Sequence, residues 1–137
     1  MSFRPSLRRA LTLTMIVPVA VAGALAGCGD DAASSPPAGC TPVVAGKVTL
    51  VARNLQWNTE CLRVPGPGKV TFVVELEDEG VEHDLEVYGR GRRAKTPLEA
   101  GPTTQTLEFD FPEPGTYRFV CTIHAQMEGT IYVDAPA

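Results

Sequence analysis

The sequence predicts an all-β protein, folded as a sandwich of short strands. Apolar and polar residues alternate with period two in several separate segments, Gly- and Pro-bearing turns divide those segments, and no stretch carries a helical stripe. Residues 47–53 place Val48, Leu50 and Ala52 on one face. Residues 69–77 place Val70, Phe72, Val74 and Leu76 on one face, with Thr71, Val73 and Glu75 opposite. Residues 81–88 put His83, Leu85 and Val87 inward and Glu82, Asp84 and Glu86 outward. Residues 103–109, 116–121 and 129–133 complete the alternating set. The turns between them are Pro65-Gly66-Pro67-Gly68, Asp78-Glu79-Gly80, Gly89-Arg90-Gly91, Gly101-Pro102 and Pro112-Glu113-Pro114-Gly115. Only residues 96–100 suggest a turn of helix. Six or seven short strands in some ninety residues are the usual content of a β-sandwich.

The first residues read as a targeting device rather than as part of the fold. Arg4, Arg8 and Arg9 precede an apolar run at 11–26, shorter than the roughly 20 apolar residues that a membrane span needs. The run ends in Leu25-Ala26-Gly27-Cys28, which resembles a bacterial lipobox. That resemblance implies a signal peptide at 1–27, removal of that segment, and lipid on the sulfur of Cys28. The protein is therefore expected in the cell envelope, outside the cytoplasm and tethered to a membrane by its lipid. Arg8-Arg9 leaves both the general and the folded-protein export routes open. Residues 28–45, with Asp30, Asp31, Ser34, Ser35, Pro36, Pro37, Gly39 and Pro42, have too few large apolar side chains to fold and read as a flexible linker. Residues 46–135 then form one domain, expected to act as a monomer.

Loss of the leader takes three of the 12 basic residues and none of the 16 acidic ones, leaving a balance of −7. Such acidity excludes nucleic acid as a partner, because the phosphate backbone requires the opposite charge. With Cys28 lipidated, three of the four cysteines remain. Cys40 and Cys61 have no histidine at metal-like spacing and are expected to pair as a disulfide. Cys121 is left odd, and a free thiol in an oxidising compartment calls for a use.

Cys121-Thr122-Ile123-His124-Ala125-Gln126-Met127 supplies that use. The chain has two histidines, His83 and His124, and Met127 is the only methionine beyond the leader. Two imidazoles, a thiolate and a thioether are the donors of a blue-copper electron-transfer site. The segment from Gly115 to Gly129 resembles the copper loop of cupredoxins, and Gly80-Val81-Glu82-His83-Asp84-Leu85 resembles their first-histidine strand. The short Cys-x-x-His-x-x-Met spacing is similar to that of amicyanin. The resemblance implies a Greek-key β-sandwich with one copper ion, cycling between Cu(I) and Cu(II), at one end. His83, Cys121 and His124 would be the strong ligands and Met127 the weak one. It also implies an exposed edge of His124 as the electron's exit, ringed here by Ile123 and Ala125.

Two departures from the family pattern stand out. Asp84 occupies the place where cupredoxins commonly have asparagine, so it is expected to accept from Thr122 without donating, and to lower the potential by its charge. Ile123 and Ala125 stand where short-loop relatives often have proline. The expected role is that of a one-electron carrier between redox partner proteins, not of an enzyme. The alternative from a different class is a copper-binding or copper-delivery lipoprotein of the same fold. The basic run Arg90, Arg92, Arg93 and Lys95 is expected as a solvated loop, with docking of an acidic partner or anionic lipid as its sharper reading.

Overall fold

Period-two segments build most of the architecture, but the chain makes more strands than the pattern suggests. The structure is a computed structural model that describes residues 36–136. The expected signal peptide at 1–27 and the lipid site Cys28 lie outside the described residues. In chain order the strands are β1 (Thr41–Pro42), β2 (Lys47–Arg53), β3 (Gln56–Trp57), β4 (Cys61–Val64), β5 (Gly68–Leu76) and β6 (Glu82–His83). They continue with β7 (Glu86–Gly89), β8 (Arg92–Lys95), β9 (Glu99–Ala100), β10 (Thr103–Phe111), β11 (Gly115–Val120) and β12 (Glu128–Val133).

Two mixed sheets face each other, one in the order β1-β4-β12-β11-β7-β8 and the other β10-β5-β2-β3; β6 and β9 form a separate ribbon. The long pairing of β5 with β10 sets Phe72 beside Leu107 and Val70 beside Phe109. From the other sheet Leu62, Val87, Tyr117, Phe119 and Ile131 point inward, and both sets are buried. Each large apolar side chain so covered contributes about 1.5–3 kcal/mol. Parallel pairs, β2 with β5 and β4 with β12, mark where the chain crosses between distant neighbours.

Several expectations need correction. Residues 81–88 are not one strand. The chain leaves the β6–β9 ribbon after His83 and joins the main sheet at Glu86, and in this crossing Asp84 and Glu86 turn inward and are buried. Simple alternation fails there because the segment changes sheets. Residues 96–100 form no helical turn: Glu99–Ala100 is β9, paired antiparallel to β6. The linker expected to run to residue 45 stops earlier, since Thr41 and Pro42 pair with β4 and Val43 is buried. The anchor is the Cys40–Cys61 disulfide, which fastens a segment too polar to hold itself.

At position 89 packing dictates glycine. Gly89 has φ 153°, and a Cβ there would lie 2.6 Å from the Tyr117 ring. Above it, the Tyr117 hydroxyl donates to the Glu113 carbonyl (2.9 Å), closing the Pro112–Gly115 turn onto the strand that leads to Cys121. Burial pushes the Tyr117 hydroxyl above the ordinary phenol range, so it remains a donor.

Candidate metal centre

Strand β11 delivers Cys121 to the end of the sandwich, and the following loop is folded back by its own backbone. The Cys121 N–H donates to the Met127 carbonyl (2.8 Å), and the Met127 N–H donates to the His124 carbonyl (2.9 Å). Two intervening residues on each side of His124 are just enough for this closure. Cys121, His124 and Met127 therefore share one tight turn between β11 and β12. His83 arrives separately, at the end of β6, from nearly forty residues upstream. The donor atoms of His83, Cys121 and His124 all lie within 4.8 Å of one another. Cys121 Sγ is 3.5 Å from His124 Nδ1, and the two imidazole centroids are 4.9 Å apart. His83, Cys121 and Met127 are buried, whereas His124 is half-buried beside exposed Ile123 and Ala125.

His83 carries the sharpest sign of a missing partner. Its Nε2 lies 2.9 Å from Asp78 Oδ2, while its Nδ1 is buried with no hydrogen-bond partner. A buried imidazole nitrogen without a partner is costly unless something accepts its lone pair. A free buried thiol and a half-buried second imidazole stand beside it. These donors fit a soft, thiolate-binding metal such as copper better than a hard cation.

Residues 44–134 match the model of the copper-binding proteins of the plastocyanin/azurin family. The chain belongs to that family. It is a cupredoxin, and His83, Cys121, His124 and Met127 form its candidate site for one copper ion. Solved cupredoxins share the fold. Reduced auracyanin from Roseiflexus castenholzii is 19% identical with a TM-score of 0.58, over 66% of this chain and 98% of that one. Auracyanin A from Chloroflexus aurantiacus, a "blue" copper protein, is 18% identical with a TM-score of 0.57, over 68% and 99%. A copper-containing nitrite reductase from Thermus scotoductus is 25% identical with a TM-score of 0.52, over 66% of this chain but only 23% of that enzyme. No curated protein sequence matches the chain.

Around the donors of this cupredoxin, charge and hydrogen bonding are organised by two aspartates. Asp84, fully buried, accepts from the Thr122 N–H (2.7 Å) and the Thr122 hydroxyl (2.5 Å), tying the residue after His83 to the residue after Cys121. Lys95 Nζ, 3.1 Å away, balances its charge. Burial alone would raise the Asp84 carboxyl, but the Thr122 bonds and Lys95 outweigh it and hold it below the usual carboxylate range. Asp78 behaves likewise: burial raises it, and the Leu55 and Asn54 amides with His83 bring it lower on balance.

Three neighbours of the site were not picked out by sequence reasoning. Asp78 reads only as a turn residue, Lys95 only as part of a basic run, and Trp57 lies outside every alternating segment. Yet Trp57 Nε1 donates to the Met127 carbonyl (3.1 Å), and its ring packs edge-on to Phe119. Trp57 is the sole tryptophan, which was the one available signal.

The basic run is not a free loop. Arg92–Lys95 is strand β8, and each of the four cations has a carboxylate of its own. Arg90 faces Glu113 and Arg92 faces Asp110, both at 3.7 Å; Arg93 faces Glu86 at 2.8 Å, and Lys95 faces Asp84.

Proposed function

We propose that this cupredoxin is a one-electron carrier that works outside the cytoplasm, tethered to a membrane by lipid on Cys28, and that it turns over no substrate. The observation that carries the reading is the donor set as a whole: the buried His83 Nδ1 without a partner, a free thiol, a second imidazole and the buried Met127, the donor types of an electron-transfer copper site. When bound, copper would supply a centre that accepts and releases one electron. The chain's own part is to hold four donors still. The Cys121 and Met127 backbone bonds close the loop, Asp84 links Thr122 to the His83 segment, and burial excludes water from three of the donors. Rigid donors keep rearrangement small between the two oxidation states. His124, half-buried within an apolar rim of Ile123 and Ala125, is the edge through which a redox partner protein exchanges the electron.

The test is the visible and electron-spin spectrum of the Cu(II)-loaded protein beside its Cys121→Ser variant. An intense charge-transfer band, bleached by mild reductant and absent from the variant, is expected. A pale complex, or a colour that survives loss of Cys121, overturns the reading and favours copper holding or delivery. For the tether, replacing Cys28 with Ala is expected to release the protein from membranes, as read by fractionation.

A further inference from the structure

We infer that Asp78 is a positioning residue for the metal centre: its carboxylate fixes the tautomer and orientation of His83 and backs that histidine with the β2–β3 hairpin. The hairpin is unusual. Strands β2 and β3 pair through Ala52↔Trp57 and Arg53↔Gln56, leaving a two-residue turn, Asn54–Leu55. Both turn residues have positive φ, 54° and 59°. Two-residue hairpins favour that geometry, but the second position normally takes glycine, and leucine is disfavoured there. What steadies the turn is Asp78. Its Oδ1 accepts from the Asn54 N–H at 2.6 Å and its Oδ2 from the Leu55 N–H at 3.0 Å. The same Oδ2 faces His83 Nε2 at 2.9 Å.

An ionised carboxylate only accepts, so a neutral His83 must carry its proton on Nε2 and its lone pair on Nδ1. That is the nitrogen left unpartnered among the other donors. A histidine ligand that donates its second N–H to a carboxylate is oriented and made a stronger base. Stronger donation favours Cu(II) over Cu(I). The hairpin also reaches the ligand loop, because Trp57 Nε1 in β3 donates to the Met127 carbonyl. One short hairpin is thus tied to the segments of two ligands, His83 and Met127.

This role presupposes the copper reading above, and a metal-free measurement keeps the two separable. In the wild-type protein without metal, nitrogen NMR of the His83 ring is expected to show a protonated Nε2 and a bare Nδ1. Asp78→Asn keeps an oxygen for the Asn54 amide but presents an N–H₂ to His83 and to the Leu55 amide, and is expected to displace that tautomer. Its Cu(II) affinity should fall about 10- to 100-fold, with a smaller loss for Cu(I). Each tenfold of that difference raises the reduction potential by about 59 mV. Leu55→Gly is the control for the turn alone: it relieves the positive φ, keeps the carboxylate, and should leave tautomer and affinity unchanged. A wild-type ring protonated on Nδ1, or an Asp78→Asn protein with unaltered tautomer and affinity, overturns the role. An equal loss in Leu55→Gly also overturns it, since the effect would then travel through the hairpin rather than the His83 bond. If the wild-type protein bound copper without blue colour while the tautomer result held, only the electron-carrier reading would fall.

Discussion

Asp84 is a buried carboxylate made tolerable by three donors, two from Thr122 and one from Lys95. Its folded pKa lies below the ordinary 3.8. In acid, therefore, the unfolded chain binds this proton more readily than the folded one. The stability it contributes is complete above the ordinary value and is lost as pH falls through the folded one. Asp78 has the same sign. The metal-free protein should accordingly melt at progressively lower temperature as pH drops below about 4, and Asp84→Asn should flatten that dependence. Calorimetry on both proteins across the acid range checks it. Asp84→Ala, which removes the acceptor of both Thr122 bonds and leaves Lys95 and Thr122 to water, should cost about 1–2 kcal/mol in urea unfolding. The carboxylate also bears on potential: removing its charge in Asp84→Asn should raise the potential of the copper protein in voltammetry, with Lys95 limiting the size of the change.

Strands β7 and β11 meet where Gly89 lies under Tyr117. Alanine at position 89 would have to displace the ring or shift β7, and its φ of 153° is strained for any side chain. Gly89→Ala should cost at least about 2 kcal/mol, read as a lower urea midpoint. Tyr117→Phe, which loses only the bond to the Glu113 carbonyl, should cost about 1 kcal/mol. How well each element could be read follows from its burial pattern. Strands β2, β5 and β10 bury alternate residues, so period two reports them. Strand β8 has four residues with no buried side chain and lies at a sheet edge, so its charges hide it. Strand β9 is two exposed residues defined only by pairing with β6. No local pattern distinguishes such a segment from a loop.

Across the whole molecule, the disulfide joins β1, which carries little core of its own, to β4, whose Leu62 and Val64 are buried. Cys40 and Cys61, 21 positions apart, hold β1 in parallel register with β4, and β4 in turn pairs with β12 beyond the metal loop. Closing a loop of that length restricts the unfolded chain by about 3 kcal/mol in the chain-entropy treatment. Replacing both cysteines with Ala should lower the stability by about that much. It should leave the charge-transfer band of the copper protein intact, because the donors and their hydrogen bonds lie on other segments. A denaturation curve and a visible spectrum of the double variant separate the two effects.

The sequence by itself determined the class of fold, the donor types and their loop spacing, and the pairing of Cys40 with Cys61. Alternation, turn residues and the scarcity of histidine and methionine are local or countable properties, and all of them can be read along a chain. The tertiary structure alone decided that Asp84 points inward, that Asp78 backs His83, that Trp57 grips Met127, and that every cation of the basic run has its own carboxylate. Periodicity tells which face a side chain is on; it does not tell which strand that face will meet. These contacts join residues up to 70 positions apart. They exist only once the order and register of the sheets have been set by burial of the whole core.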